Sequence, residues 1–293
     1  MTHGRTEIHE LLQANDLHPS RALGQNFVAD GNTVRRIVRL AGVTPGQRVI
    51  EIGAGLGSLT LALAEAGASV TAVEIDRHVL AVLRAQVEPV GVRVVEADAL
   101  TLDWSELLGD ESAGRPPWSL VANLPYNVAV PLVVRVLEEA PQVSSLLVMV
   151  QREVGERLAA TAGDEAYGAV SVKVDYWATA ALVGRVPPSV FIPRPRVESV
   201  LVRLDRRTEP VGGSRDGPGS ERYDRLFSVV RAGFAHRRKM LRRSLDGSVA
   251  PEAFEAVGIR PTARAEELSL GEWERLAGWS PTGEGRIGSE AGS

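Results

Sequence analysis

Short runs rich in β-branched residues alternate with segments of helical periodicity over residues 1–207 of this chain. A strand followed by a helix, repeated along the chain, favours a parallel sheet with helices on both faces. The sequence therefore predicts an open α/β sheet. The predicted strands are Arg48–Ile52, Ser69–Val73, Arg93–Ala97, Ser119–Ala122, Leu146–Val150, Ala169–Trp177 and Val197–Leu204, and the predicted helices are Ser58–Ala66, Arg77–Gln86, Pro131–Ala140 and Arg152–Ala160.

Three glycines, Gly53, Gly55 and Gly57, lie between the first predicted strand and the first predicted helix. Glycine lets a ligand reach the backbone and permits the positive φ of a tight turn. The Gly-x-Gly-x-Gly spacing, with Glu51 two residues before the first glycine, favours S-adenosylmethionine over NAD, whose enzymes carry Gly-x-Gly-x-x-Gly. A tight turn without a ligand is the alternative interpretation.

Carboxylates follow the next two predicted strands. Glu74 lies 21 residues after Gly53, where a carboxylate at the end of a strand can accept hydrogen bonds from both ribose hydroxyls. Asp76 is predicted to be the N-cap of the following helix. Asp98 ends the third strand and can accept a hydrogen bond from an adenine amine, with a loop or cap role as the alternative. Because the carboxyl ends of parallel strands meet at one edge, we expect these residues in one crevice.

The fourth predicted strand ends in Asn123-Leu124-Pro125-Tyr126-Asn127. An exocyclic adenine amine is a poor nucleophile because its lone pair is delocalised into the ring. The Asn123 side-chain oxygen and the Leu124 carbonyl can each accept one amine proton, while Pro125 fixes φ and withholds an N–H. Tyr126 offers a face for stacking the base. An ordinary turn after a strand is the alternative.

Positive charge is concentrated in residues 222–243, which hold eight basic side chains and one acidic side chain, although the formal net charge of the chain is −4. The apolar spacing predicts one helix over Tyr223–Leu245 with a basic side that follows RNA phosphates, and a merely solvated face is the alternative. Further helices are predicted over Pro251–Val257 and Thr262–Gly278, with Ser269 as a cap. The candidate RNA-binding residues are Arg231, Arg237, Arg238, Lys239 and Arg242.

Segments rich in Gly, Pro and Ser divide the chain. We predict that residues 208–221 form a linker and that residues 279–293 form a flexible tail. Neither segment offers enough apolar surface to offset the entropy cost of ordering the chain. We therefore predict a catalytic domain over residues 1–207 and a small, mostly helical, basic domain over residues 222–278.

The composition excludes several classes of protein. The chain has no cysteine, and its five histidines lack ligand spacing, so neither thiol chemistry nor a metal site is expected. No apolar run approaches the length of a membrane span, and the first residues lack the apolar stretch of a secretory signal. We expect a soluble cytoplasmic protein with no membrane partner, and a monomer, since no exposed heptad or long edge strand is evident.

Five motifs in this order resemble the small-subunit (16S) ribosomal RNA adenine N6,N6-dimethyltransferases, the KsgA/RsmA family, over most of residues 18–278. The resemblance implies a Rossmann-like sheet of the class I S-adenosylmethionine-dependent methyltransferases with a small helical C-terminal domain. It also implies dimethylation of two adjacent adenosines near the 3′ end of 16S rRNA, late in small-subunit assembly. The motifs are Leu23-Gly-Gln-Asn-Phe27, Glu51-Ile-Gly-Ala-Gly-Leu-Gly57, Asn123-Leu-Pro-Tyr-Asn127, Phe191-Ile-Pro-Arg-Pro-Arg-Val-Glu-Ser199 and Phe234-Ala-His-Arg-Arg-Lys-Met-Leu-Arg242.

The resemblance also implies roles for individual residues. It places Asn26 and Val28 at the methionine end of S-adenosylmethionine and Gly53 at its centre, and it has Phe191 sandwich the target base with Tyr126. Without the resemblance, a position in the hydrophobic core is the favoured interpretation of Phe191. The candidate catalytic residues are thus Asn123, Leu124, Pro125, Tyr126 and Phe191, and the candidate cofactor-binding residues are Asn26, Val28, Gly53, Gly55, Glu74, Asp98 and Asn123.

Three other functions stay open. A 23S rRNA adenine N6-methyltransferase of the antibiotic-resistance type would share the sheet and a similar Asn-x-Pro-Tyr motif. A non-catalytic ribosome assembly factor would bind through the same surfaces. An NAD-linked dehydrogenase is disfavoured by the glycine spacing and by the Asn-Leu-Pro-Tyr segment.

Overall fold

The computed structural model describes residues 2–20, 23–109, 116–208, 216–236 and 239–280. Half of the predicted linker and most of the predicted tail therefore lie outside the described residues, as do Arg237 and Arg238. Two compact units divide the chain: the first comprises Met1–Ala159 and Ala178–Arg206, and the second comprises Ala160–Trp177 and Arg207–Ser293. Residues 160–177 thus belong with the C-terminal unit, although they precede the predicted linker.

The first unit alternates strands and helices, as its sequence predicts. Its helices are α1 (Arg5–Ala14), α2 (Gly31–Ala41), α3 (Ser58–Glu65), α4 (Arg77–Val87), α5 (Trp104–Leu108), α6 (Ala129–Glu139) and α7 (Arg152–Ala159). Its strands are β1 (Phe27–Val28), β2 (Arg48–Ile52), β3 (Ser69–Glu74), β4 (Arg93–Glu96), β5 (Trp118–Asn123), β6 (Val143–Gln151), β7 (Ala178–Val186), β8 (Phe191–Ile192) and β9 (Ser199–Arg206), with short 3₁₀ helices over Glu88–Val90 and Pro188–Val190.

In the described ranges, seven strands form one sheet in the order β4-β3-β2-β5-β6-β9-β7. The first five run parallel, and β9 runs antiparallel to both β6 and β7. The separate pair β1 and β8 is antiparallel. The predicted open α/β sheet is confirmed, and because β2 to β5 run in the same direction, their carboxyl ends share one edge.

Buried strands and crossover helices explain why the first unit adopts this arrangement. β2 and β5 are buried along nearly their whole length, as expected for parallel strands covered on both faces. The turn after β2 leads directly into α3, whose residues Ser58–Leu63 are all buried. Asp76 accepts a hydrogen bond from the His78 N–H at 3.0 Å, which confirms it as the N-cap of α4.

The second unit is helical, with α8 (Ala169–Trp177), α9 (Glu221–Phe234), α10 (Leu241–Ser244), α11 (Pro251–Ala256), α12 (Leu270–Ala277) and a 3₁₀ helix over Ala265–Glu267. The predicted strand at Ala169–Trp177 is wrong, because this segment is α8. Tyr176 in α8 packs edge-on against Tyr223 and Phe227 of α9, with ring centroids 5.4 and 5.6 Å away. A half-exposed helix shows apolar residues at spacings of three and four. A β-branched segment buried among other helices lacks this pattern, so its sequence resembles a strand.

The single helix predicted over Tyr223–Leu245 is also wrong, because α9 ends at Phe234 and α10 begins only at Leu241. The Leu241 N–H donates to the Ala263 carbonyl at 2.8 Å instead of continuing a helical ladder. The break lets Leu241 join the same core as α9, α11 and α12. The helix predicted over Thr262–Gly278 is shorter than expected, although α12 does follow Ser269, the predicted cap.

None of the helices in the described ranges combines the length and the apolar character that crossing a bilayer requires.

Candidate active site

A cavity of about 270 Å³ lies at the carboxyl ends of β2 to β5. The strand order reverses beside β2, which neighbours both β3 and β5, and ligands of open α/β sheets bind at such a reversal. Phe191 is not among the lining residues. Ten of the predicted site residues line the cavity, namely Asn26, Val28, Gly53, Gly55, Glu74, Asp98, Asn123, Leu124, Pro125 and Tyr126.

The glycine turn after β2 adopts a backbone that other residues avoid. Gly53 and Gly55 have φ of 71° and 56°. A Cβ at Gly55 would also lie 2.9 Å from Cε1 of Phe27, which packs over the turn. Glycine is therefore required here both for its positive φ and for the close approach of a ring.

The Glu74 carboxylate holds this turn in place. Its Oε2 accepts a hydrogen bond from the Gly55 N–H at 2.8 Å, and its Oε1 accepts from the Ile75 and Asp76 N–H groups at 2.9 Å each. Burial raises the pKa of Glu74, while these backbone hydrogen bonds act in the opposite direction. A carboxylate offers about four lone-pair sites, so one acceptor site on Oε2 is left for a ligand hydroxyl.

Glu51 is a second buried carboxylate on the cavity wall, and its side chain is 2% exposed. Its Oε2 has no hydrogen-bond partner in the part of the chain that the structure describes. Burial raises the pKa of Glu51 to about 8, the neighbouring Glu74 adds to this, and Thr60 opposes it. The unpartnered oxygen of this protonated carboxyl is therefore left on the cavity wall for a hydrogen bond with a ligand.

The raised pKa makes stability depend on pH. Folded Glu51 keeps its proton up to about pH 8, whereas the unfolded side chain loses it near 4.5. The free energy of unfolding therefore falls as pH rises through this window. Glu51→Gln cannot ionise, so we expect its stability relative to the wild type to increase by about 3 kcal/mol between pH 5 and pH 8.

Urea unfolding of the ligand-free proteins at both pH values measures this difference. Glu139→Gln, at the exposed end of α6, is the matched control, and its stability difference from the wild type should stay within about 0.5 kcal/mol. A constant difference between Glu51→Gln and the wild type at the two pH values would show that Glu51 is ionised in the folded protein throughout.

Asp98 reaches the cavity from the loop after β4. Its Oδ1 accepts a hydrogen bond from the Leu100 N–H at 2.9 Å, which fixes the loop. Within the described ranges, its Oδ2 has no hydrogen-bond partner and remains an acceptor. Asp98 and Glu74 thus line the same cavity, and the adenine-amine role of Asp98 stays a prediction.

The segment before β1 contributes contacts that the sequence did not indicate. The Gln25 amide donates to Asp76 Oδ2 at 2.6 Å, which ties this segment to the start of α4. Asn26 donates to the Gly24 carbonyl at 3.0 Å. A Cβ at Gly24, whose φ is +63°, would lie 3.4 Å from Pro125 Cβ. The segment therefore packs directly against the loop that follows β5.

Asn123 ends β5 with its side-chain orientation fixed by a distant partner. Its Nδ2 donates to the Asn26 carbonyl at 2.9 Å. A carbonyl only accepts, so this bond identifies the other terminal atom of Asn123 as the oxygen. That oxygen has no hydrogen-bond partner among the described residues. Asn123 therefore presents a preorganised acceptor at the cavity.

Tyr126 is half-buried in the loop after β5. Its hydroxyl lies 3.0 Å from the Ser199 hydroxyl, and either can be the donor. Burial raises the pKa of the phenol, while the Ser199 hydrogen bond acts in the opposite direction. The phenol is therefore neutral near pH 7, as a ring that stacks on a base requires.

The structure does not bring Phe191 to the cavity. Its side chain is 1% exposed and belongs to the main core of the first unit. Its backbone pairs with Val28 across β1 and β8. A ring stacks on a base only through an open face, so the sandwich of Phe191 and Tyr126 stays a prediction.

The predicted RNA-binding residues that the structure describes, Arg231, Lys239 and Arg242, are all exposed in the second unit. Arg231 lies on α9 and Arg242 on α10, while Lys239 lies between these helices. They therefore do not share one continuous helix, as the sequence had predicted. Their role in binding RNA stays a prediction.

The family model described as ribosomal RNA adenine dimethylase matches residues 18–280. The chain belongs to the ribosomal RNA adenine dimethylase family. Among its relatives, the ribosomal RNA small subunit methyltransferase A of Corynebacterium jeikeium is 44% identical, and the match covers 94% of this chain and 95% of the relative. The protein of the same name from Streptomyces griseus is 46% identical, with 95% of each chain covered.

Solved structures agree with this family. The 23S rRNA methyltransferase ErmE has a TM-score of 0.66 and 27% identity, over 86% of this chain and 98% of ErmE. A dimethyladenosine transferase from Plasmodium falciparum has a TM-score of 0.68 and 21% identity, over 84% of this chain and 94% of that one, and supports the fold alone. The predicted Rossmann-like methyltransferase fold and the predicted enzyme class are confirmed. As a ribosomal RNA adenine dimethylase, the protein is an S-adenosylmethionine-dependent enzyme that acts on ribosomal RNA.

Proposed function

We propose that this ribosomal RNA adenine dimethylase modifies two adjacent adenosines near the 3′ end of 16S rRNA, adding two methyl groups to each N6 within the small ribosomal subunit. Several relatives that are 43–46% identical are named small subunit methyltransferases, which supports the choice of subunit. The observation that carries the chemistry is the Asn123 amide, oriented by the Asn26 carbonyl with its oxygen left as an acceptor at the cavity.

The residues around the cavity match the parts of S-adenosylmethionine. Glu74 has one spare acceptor site for a ribose hydroxyl, and Asp98 has a spare oxygen for the adenine amine. The unpartnered Oε2 of Glu51 can form a hydrogen bond with the methionine portion. Gly53 and Gly55 line the cavity without a side chain that would occupy it. When bound, S-adenosylmethionine supplies an electrophilic methyl group whose leaving thioether is neutral.

The residues after β5 prepare the adenine amine. The Asn123 oxygen and the Leu124 carbonyl accept hydrogen bonds from the N6 N–H groups, so that the nitrogen can rehybridise and direct its lone pair towards the methyl group. The S–CH₃ bond breaks as the N6–CH₃ bond forms, and one N6 proton then leaves to solvent. Pro125 lacks an N–H that would compete for these acceptors. Tyr126 stacks on the extruded base and offsets the cost of unstacking. Positioning supplies most of the acceleration, because no strong base is needed.

The RNA outside the reacting base requires a basic surface. Arg231, Lys239 and Arg242 are exposed and can contact phosphates, and we propose the same role for Arg237 and Arg238. The enzyme acts as a monomer in the cytoplasm, and its reaction accompanies late assembly of the small subunit.

A methyl-transfer assay tests this proposal. Labelled S-adenosylmethionine is supplied with undermethylated small subunits or with large-subunit rRNA, and the nucleosides are then analysed. We expect dimethyladenosine on the small subunit at a rate at least about 10²-fold above that on large-subunit RNA.

Label only on large-subunit RNA would instead support the ErmE-like alternative, which the structural likeness to that 23S rRNA methyltransferase favours. Binding to small subunits with no transfer to either RNA would support the assembly-factor alternative and refute the proposed reaction.

A further inference from the structure

Ser199 is buried beneath the proposed target-base site and makes a contact that the reaction described above does not use. It begins β9, where it is 0% exposed and pairs with Gln151 of β6 and Val186 of β7. Both neighbouring strands hold its backbone, so its position is set by the interior of the sheet. Its hydroxyl lies 3.0 Å from the Tyr126 hydroxyl, 73 residues away in sequence.

Tyr126 itself lies on a short loop between β5 and α6. The loop is held at its ends, where the Leu124 N–H donates to the Met149 carbonyl at 3.1 Å and the Val128 N–H donates to the Pro125 carbonyl at 3.2 Å. These bonds fix the backbone but leave the χ1 torsion of Tyr126 unconstrained. A bond at the hydroxyl, the far end of the ring, fixes the direction of the ring axis.

We propose that Ser199 positions the Tyr126 ring so that the stacked adenine places its N6 at the Asn123 oxygen. This inference rests on the proposed stacking role of Tyr126. Ser199 contacts neither the base nor the cofactor in this scheme and acts through the phenol alone. The ring of a base is rigid, so a small rotation of the stacking face moves N6 away from its acceptors, and displacements of about 1 Å can cost about 10²-fold in rate.

A double-mutant cycle tests this role. Ser199→Ala, Tyr126→Phe and the double variant are assayed for methyl transfer to undermethylated small subunits, with rates normalised to the folded fraction. Each single variant should lower kcat about tenfold, while the KM for S-adenosylmethionine changes less than about twofold. The double variant should lose no more than the more impaired single variant, because both remove the same hydrogen bond.

Ser119→Ala is the matched control. Ser119 is 4% exposed and has hydroxyl hydrogen bonds of 2.6 Å with Gln47 and 2.9 Å with Ser145, but it lies near the start of β5, whereas Asn123 ends that strand. Loss of the Ser119 hydroxyl should lower the free energy of unfolding without lowering the kcat of the folded enzyme. A loss of kcat in Ser119→Ala equal to that in Ser199→Ala would show that any lost buried serine impairs the enzyme, and would refute the positioning role.

Other outcomes separate this inference from the function on which it rests. Unchanged kcat in Ser199→Ala, or rate losses that multiply in the double variant, would refute the positioning role even if Tyr126→Ala were inactive. Absence of transfer by the wild-type enzyme would refute the proposed function, and with it the role of Ser199.

Discussion

Replacing Asn123 with alanine is expected to lower kcat for methyl transfer by about 10²-fold or more, with S-adenosylmethionine affinity within about fivefold of the wild type. The side-chain oxygen of Asn123 is the proposed acceptor of a hydrogen bond from the N6 N–H group, and alanine removes this oxygen. The lost bond from Nδ2 to the Asn26 carbonyl loosens the segment before β1, which accounts for the smaller effect on affinity.

Single-turnover transfer and calorimetric binding of S-adenosylmethionine measure the two quantities separately. The matched control is Asn32→Ala, because Asn32 is an exposed asparagine on α2 whose oxygen accepts from Arg35 at 3.0 Å. That variant should match the wild type in both measurements. A kcat within about fivefold of the wild type in Asn123→Ala would mean that this amide oxygen is not an acceptor in the reaction.

Local patterns predicted the part of the site that one edge of the sheet assembles. The glycine spacing indicated the turn after β2, and the parallel order of the strands required Glu74 and Asp98 to reach the same crevice. The same rule predicts the position of Asn123 at this crevice, because Asn123 ends β5, which lies between two parallel strands. Each of these predictions requires only the position at which a strand ends and the knowledge that the neighbouring strand runs parallel to it.

Contacts between distant segments could not be predicted in this way. Gln25 reaches Asp76 across 51 residues, and Tyr126 reaches Ser199 across 73. No periodicity links such positions, since their meeting depends on how loops pack after the sheet has formed. Phe191 shows the same limit, because its motif allows both a stacking ring and a core position, and only the structure shows that the ring is buried.

The C-terminal unit was harder to predict for a different reason. Ala169–Trp177 is rich in β-branched residues, and the core of helices around it removes the amphipathic pattern that distinguishes a helix from a strand. The break between α9 and α10 depends on a bond from Leu241 to Ala263, which lies outside any local window. Periodicity predicted helices here but neither their full number nor their ends.

The second large effect is expected at Glu74, where even the conservative change Glu74→Gln should weaken S-adenosylmethionine binding by about 10²-fold. Both carboxylate oxygens accept backbone N–H groups, one from Gly55 and two from Ile75 and Asp76. Glutamine has only one oxygen, so its NH₂ must face at least one of these donors. The orientation that loses only one of the three bonds turns the NH₂ towards the Gly55 N–H. The turn around Gly55 is then displaced, and the spare acceptor for the ribose is lost.

Because an N–H group left without an acceptor in the protein interior costs about 1 to 3 kcal/mol, Glu74→Gln should also lower the free energy of unfolding by that amount. Glu88→Gln is the matched control, since Glu88 is half exposed and pairs with Arg84 at 2.6 Å on the protein surface. Calorimetric titration and urea unfolding should leave that control close to the wild type. Wild-type affinity in Glu74→Gln would show that the ribose is held elsewhere, because the substitution removes the acceptor without removing the volume of the side chain.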